Sequence, residues 1–144
     1  MASKNIRSRR GHNGGFTLME LLIVITIIGV LASIAYASYS NSVVASRRKA
    51  AAACLLEVSQ HMERVYTTSL SYAGVTAAPA LSCRTELSAF YTIGLNGTPT
   101  ATTYALQAAP TSQQKDAKCG TLGLNQAGTK TISGTGGSVP SCWG

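Results

Sequence analysis

Acidic residues are scarce in this chain. Its 144 residues include 5 Asp and Glu, and Asp116 is the single Asp. There are 2 His, His12 and His61, and neither stands at metal-ligand spacing to the cysteines. That set offers no carboxylate pair for acid–base work and no Ser-His-Asp triad. A calcium site wants clustered oxygen ligands, and Asp116 stands alone. No C-x-x-C pair and no glycine-rich phosphate loop occurs. The chain is therefore expected to be no enzyme and to carry no cofactor and no metal. Charged residues make up 12%, about half the usual share of a soluble domain. Proline and glycine are also missing between Val30 and Ser71, so the ordinary helix breakers are absent there.

What is present is positive charge at one end. The formal net charge is +7. Lys4, Arg7, Arg9 and Arg10 precede the long apolar run with no acid among them. Basic residues ahead of an apolar run mark the end that stays cytoplasmic. From Phe16 onward the eight Lys and Arg oppose five acids, 8 − 5 = +3. The remainder is mildly cationic, which is weak ground for nucleic-acid binding by charge alone.

The long aliphatic side chains cluster in the 20 residues 16–35, where 12 are Leu, Ile, Val or Phe. As a helix that stretch spans about 30 Å, the thickness of a bilayer core. At a few tenths of a kcal/mol each, these side chains favour insertion by about 5 kcal/mol. Glu20 opposes insertion by at most about 3 kcal/mol, less near the membrane edge. So the segment inserts in spite of Glu20. An ordinary secretory signal is one reading, because Ala35-Tyr36-Ala37 fits the A-x-A cleavage pattern. A simple one-pass anchor is another. Both leave Glu20 without a partner.

The stretch Gly15-Phe16-Thr17-Leu18-Met19-Glu20-Leu21-Leu22-Ile23-Val24 resembles the N-terminal motif of type IV pilins and pseudopilins. The resemblance implies that a dedicated membrane peptidase, the prepilin peptidase, cuts between Gly15 and Phe16 and methylates the new amine of Phe16. Residues 1–15 are then a basic leader. It also implies that Glu20 meets the N-terminal amine of a neighbouring subunit during assembly. A buried charge left unpaired costs several kcal/mol, so Glu20 would set register. In one place the chain departs from the family pattern, which often has a proline where Ala37 stands. A proline kink is not expected there.

Ala51, Leu55, Val58, Met62 and Val65 recur at helical spacing, so one helix is expected from Phe16 to about Thr68. Its first half is apolar all round and its second half amphipathic. Arg47-Arg48-Lys49 reads as a solvated helix face, Met62 as core packing, and His61 as a packing or surface residue. Ser69 to Leu87 reads as a loop. Beyond it, Tyr91, Ile93 and Leu95, then Tyr104, Leu106 and Ala108, alternate as strands. Leu122 and Leu124 mark a third strand and Ile132 a weaker fourth. Asn96-Gly97-Thr98-Pro99 and Asn125 to Gly128 read as turns. The expected fold is α+β: a long N-terminal helix packed on a roughly four-stranded antiparallel sheet, the pilin fold. Its divisions would be a leader (1–15), a transmembrane or filament-core segment (16–40) and a globular head (41–144).

Four cysteines permit three connectivities. Pairing in sequence order, Cys54 with Cys83 and Cys119 with Cys142, is favoured. Each bridge would close a loop of about 24 to 30 residues, worth roughly 3–4 kcal/mol. The C-terminal sequence from Cys119 to the final Cys-Trp-Gly resembles the disulfide-bounded loop of type IV pilins and looks most like the PilE type.

The resemblance implies a structural subunit of a type IV pilus, major or minor, serving adhesion, twitching motility or DNA uptake. It implies residence in the inner membrane and then in an extracellular filament. The implied partners are other pilin subunits, the prepilin peptidase and the pilus assembly machinery, with DNA or a host surface as further candidates. Two alternatives stand beside it. One is a type II secretion pseudopilin. The other is a secreted or anchored binding module with an ordinary signal peptide, holding DNA through Arg84, Lys115, Lys118 and Lys130.

Overall fold

The computed structural model describes residues 15–144. The expected leader lies outside the described residues except for Gly15. The chain divides between Ser38 and Tyr39 into two compact units. One helix, α1 (Leu18–Ser69), runs through both and is unbroken at Gly29 and Ala37.

In the second unit, α1 buries Ala51, Leu55, Val58 and Met62, four of the five residues read from the periodicity, while Val65 is half-buried. They face the sheet of β1 (Tyr91–Leu95), β2 (Ala105–Pro110), β3 (Leu122–Asn125) and β4 (Lys130–Ile132). The strands are antiparallel in the order β1-β2-β3-β4. Register carries the alternation across the sheet: Ile93 pairs with Ala108, Ala108 with Leu122, and Leu106 with Leu124. All five side chains are buried against the helix. Burying a Leu or Ile contributes roughly 2 kcal/mol, so the alternation sets which face of the sheet turns inward.

Both expected turns form. Gly97 and Gly128 adopt φ of 87° and 73°, which glycine reaches without penalty. Asn125 Oδ1 accepts from the N–H groups of Ala127 and Thr129 at 3.1 and 2.9 Å, closing the β3–β4 turn. Helix α1 stops at Leu70, whose φ of 54° is left-handed, with its N–H on the Tyr66 carbonyl. A leucine there carries strain of roughly 1 kcal/mol.

Two short helices were not expected from the sequence. The segment read as a loop contains α2 (Ser82–Glu86), and the C-terminus contains α3 (Val139–Trp143). Helix α3 starts with a reciprocal Ser138–Ser141 cap, and a proline stands in its first turn. Helix α2 has no side-chain cap, so nothing local announces it. The cysteines pair in sequence order, Cys54–Cys83 and Cys119–Cys142. The second bridge ties α3 to the start of the β3–β4 hairpin. Gly137 fits beside it because a Cβ there would stand 2.6 Å from Cys142 Sγ.

Candidate assembly segment and basic groove

The first unit's helix has no core. Every large apolar side chain between Phe16 and Ile34 is about half exposed or more, from 47% at Val24 to 83% at Phe16. Its polar side chains turn back on their own backbone. Thr26 Oγ1 donates to the Leu22 carbonyl and Ser33 Oγ to the Val30 carbonyl, each at 2.7 Å. Polar groups satisfied in this way suit a segment surrounded by hydrocarbon. By length and composition this helix can cross a membrane.

At its start stands a capping box that the reading of Glu20 as a membrane cost did not include. The Glu20 N–H donates to Thr17 Oγ1 at 3.2 Å, and the Thr17 N–H donates to Glu20 Oε2 at 3.4 Å. The signal is legible: Thr17-Leu18-Met19-Glu20 is the T-x-x-E pattern immediately before an apolar run. Glu20 therefore has a local role at the first turn, exchanging capping bonds with Thr17. Gly15, Phe16 and Glu20 are all exposed.

The head carries a buried polar network. Asp116 is 4% exposed and Arg48 8%. Arg48 Nη1 donates to both Asp116 oxygens at 2.9 Å. The Tyr91 hydroxyl adds a bond to Asp116 Oδ2 at 3.2 Å, and the Cys119 N–H one to Oδ1 at 3.4 Å. Gln114 Nε2 bridges the Val44 carbonyl and the Tyr91 hydroxyl, at 3.0 and 3.2 Å. Burial pushes the Tyr91 hydroxyl up to about 12, so it stays protonated and able to donate. The Nε of Arg48 is buried without a partner.

One expectation is corrected here. The Arg47-Arg48-Lys49 run is not a solvated face: only Lys49 is exposed, and Arg47 stacks 3.6 Å over the Phe90 ring. Asp116 has a partner that sequence reading did not supply, since Arg48 reaches it across 68 positions of sequence. No local pattern links two residues so far apart.

The loop from Thr111 to Thr121 crosses this network with alternating sides. Gln114 and Asp116 point inward, while Lys115 and Lys118 are exposed. Between that loop and α1 lies a groove of about 470 Å³, lined by Asn41, Val44, Ala45, Arg48, Lys115, Asp116, Ala117 and Lys118. The glycine run lets the C-terminal loop pass close against Lys118. A Cβ on Gly134 would meet the Lys118 carbonyl at 2.5 Å, and one on Gly136 would touch the Lys118 stem at 3.6 Å.

The other candidate cations differ. Arg84 donates from Nε to the Ile93 carbonyl at 2.9 Å, and from Nη1 to Ala78 and Pro79 at 2.8 and 2.7 Å. It seals the edge of β1 and is committed to structure. Lys130 is exposed and sits 5.1 Å from the Trp143 ring centroid. At the far end of α1, Glu63 accepts from the hydroxyls of Tyr72 and Tyr104. Burial first, then the bond to Glu63, pushes Tyr72 up to about 12. His61 lies near this cluster in sequence, with Nδ1 buried and unpartnered. Among the described residues no cluster of His, Cys, Asp or Glu could hold a metal ion.

An exposed apolar helix joined to a disulfide-braced α+β head defines a class: a subunit that completes itself by packing against membrane or partners. Comparison with known proteins is specific. A family model described as type IV minor pilin ComP, DNA uptake sequence receptor, matches residues 37–123, and one for the prokaryotic N-terminal methylation motif matches residues 10–36. The chain belongs to this type IV minor pilin family. A solved type IV pilin from Shewanella oneidensis is 27% identical, covers 70% of this chain and 98% of its own, and superposes with a TM-score of 0.53. A probable minor fimbrial protein of Dichelobacter nodosus is 67% identical over 33 residues, 23% of this chain. That match spans 21% of the relative's length. The family and the Shewanella neighbour are structural pilins, so the chain is a pilin rather than an enzyme. Its methylation motif and apolar helix fit a membrane-anchored, pilus-associated protein.

Proposed function

We propose that this chain is a minor pilin that enters the inner membrane with a basic leader over residues 1–15. The prepilin peptidase cuts between Gly15 and Phe16 and methylates the Phe16 amine, and the subunit then joins an extracellular filament through the assembly machinery. Glu20 has two duties in this reading. Its carboxylate caps α1 within the chain, and its charge meets the Phe16 amine of a neighbour, so that only the correct register leaves neither charge unpaired. In the filament the head contacts DNA backbone through Lys115 and Lys118, with Lys130 as a further cation. The observation that carries the DNA contact is the match of a DNA-uptake pilin model to the stretch bearing both groove lysines.

Mass spectrometry of the mature protein tests the processing. It is expected to find methylated Phe16 first; a start at Ser38 would restore the ordinary signal peptide. Duplex binding at several salt concentrations tests the DNA contact. Lys115→Ala with Lys118→Ala should weaken binding and lower the logarithmic salt slope by about 0.9 for each phosphate that is no longer neutralised. An unchanged slope removes these lysines from the interface.

A further inference from the structure

The groove's surroundings fit a second phosphate source. Two exposed ammonium groups line it, and the one acid among its described lining residues, Asp116, is turned inward and saturated by Arg48, Tyr91 and the Cys119 N–H. Asp116 therefore does not offset Lys115 and Lys118. Arg48 and Asp116 offset each other, so the unbalanced charge at the groove is that of the two lysines. Val44 and Ala45 add a short aliphatic wall, and the volume of about 470 Å³ lies within the range of small-molecule sites, about 300–1,000 Å³.

Chain reach sets where this groove can be while the subunit is anchored. Asn41, at the groove's wall, lies six residues beyond Ala35, where the apolar run ends. Six residues span at most about 20 Å even when fully extended. Between them stand Tyr36 and Tyr39, 77% and 70% exposed. Tyrosines are enriched at the membrane–water boundary. From Leu21 to Leu56 the chain has no acid, so nothing on that stretch of α1 repels an anionic surface.

We infer that, before assembly, the groove holds the phosphate of an anionic phospholipid headgroup. Lys115 and Lys118 contact its oxygens, and Val44 and Ala45 face its glycerol. The inference rests on the anchored state. Because it uses the same lysines as the DNA contact, lipid and DNA would be alternative occupants, and a subunit leaving the membrane would free its groove for DNA.

The test uses the full chain in nanodiscs of phosphatidylcholine, with or without phosphatidylglycerol, and reads amine acylation of each lysine by mass spectrometry. A lysine held at an anionic surface gains about fivefold in binding. Lys115 and Lys118 should therefore acylate about fivefold more slowly in the anionic discs, with Lys130 unchanged. Equal rates in both discs would overturn the inference. So would an equal slowing at Lys130, which reports surface potential alone. Asn41 is exposed, so Asn41→Glu should fold normally, place a carboxylate at the groove and abolish the protection; retained protection counts against the groove. Inorganic phosphate added to the phosphatidylcholine discs should not protect, and full protection by it would make this a small-anion site. Duplex DNA in the same discs separates the two readings. Protection by DNA without protection by lipid sinks the lipid inference alone. Protection by lipid without protection by DNA supports the lipid inference and sinks the DNA contact alone.

Discussion

Leu21 and Leu55 stand on the same helix, yet Leu21 is 59% exposed and Leu55 0%. The first belongs to a unit with no interior, the second to a head with a packed core, two disulfides and a buried ion pair. A helix that is apolar all round gains nothing from its own chain and must be covered by lipid or by partners. The head holds itself together. The two regions of α1 thus use the same secondary structure for opposite ends: one is incomplete until it assembles, the other is complete in the monomer.

The predictions that test this contrast begin with Glu20. Glu20→Val should abolish filament incorporation while leaving the head's unfolding midpoint unchanged. Glu20→Gln keeps an acceptor for the Thr17 N–H and so preserves the cap; it too should fail to incorporate. Normal incorporation of the Gln variant, scored in sheared filaments, would reduce Glu20 to a capping residue. The next largest effect lies wholly in the head. Arg48→Met leaves Asp116 buried and unpaired and should destabilise by about 3–5 kcal/mol in denaturant titration, whereas Arg48→Met with Asp116→Leu should recover most of that. If the double variant is no better than the single one, the cost comes from packing rather than charge. Replacing Cys119 and Cys142 by Ser should cost roughly 3–4 kcal/mol by the same measurement, without affecting membrane insertion. The smallest effect is a gain. Leu70→Gly relieves the left-handed cap of α1 and should raise stability by up to about 1 kcal/mol. Destabilisation would mean that the exposed Leu70 side chain makes a contact worth more than the strain.

The parts of the fold that are legible in the sequence share a property: their code is periodic. Ala51, Leu55, Val58 and Met62 repeat at helical spacing, and Tyr91, Ile93, Leu106 and Ala108 at strand spacing, so burial can be read from order alone. The capping box at Thr17 and Glu20 is equally local, and is hidden only when the carboxylate is weighed as a membrane cost and nothing more. Arg48 and Asp116 are illegible for a different reason. A cation in a basic run and a lone acid in a loop carry no sign of each other until the sheet brings them together. Arg84 counts as an available cation in the sequence for the same reason, because the three carbonyls that hold it come from the α1–α2 connection and from β1.

The proposed assembly segment is written in the sequence, because everything the proposal needs there is contiguous: Gly15 and Phe16, the Thr17–Glu20 cap, and a run of aliphatics long enough for a membrane. The chemistry of the head's surface waits for the packed chain. Of the cations considered there, folding buries Arg48 against Asp116, commits Arg84 to backbone carbonyls, and leaves Lys115 and Lys118 facing water across a groove. The physical reason is that a charge becomes available or committed through its neighbours in space, and in this head those neighbours are up to 68 residues away along the chain.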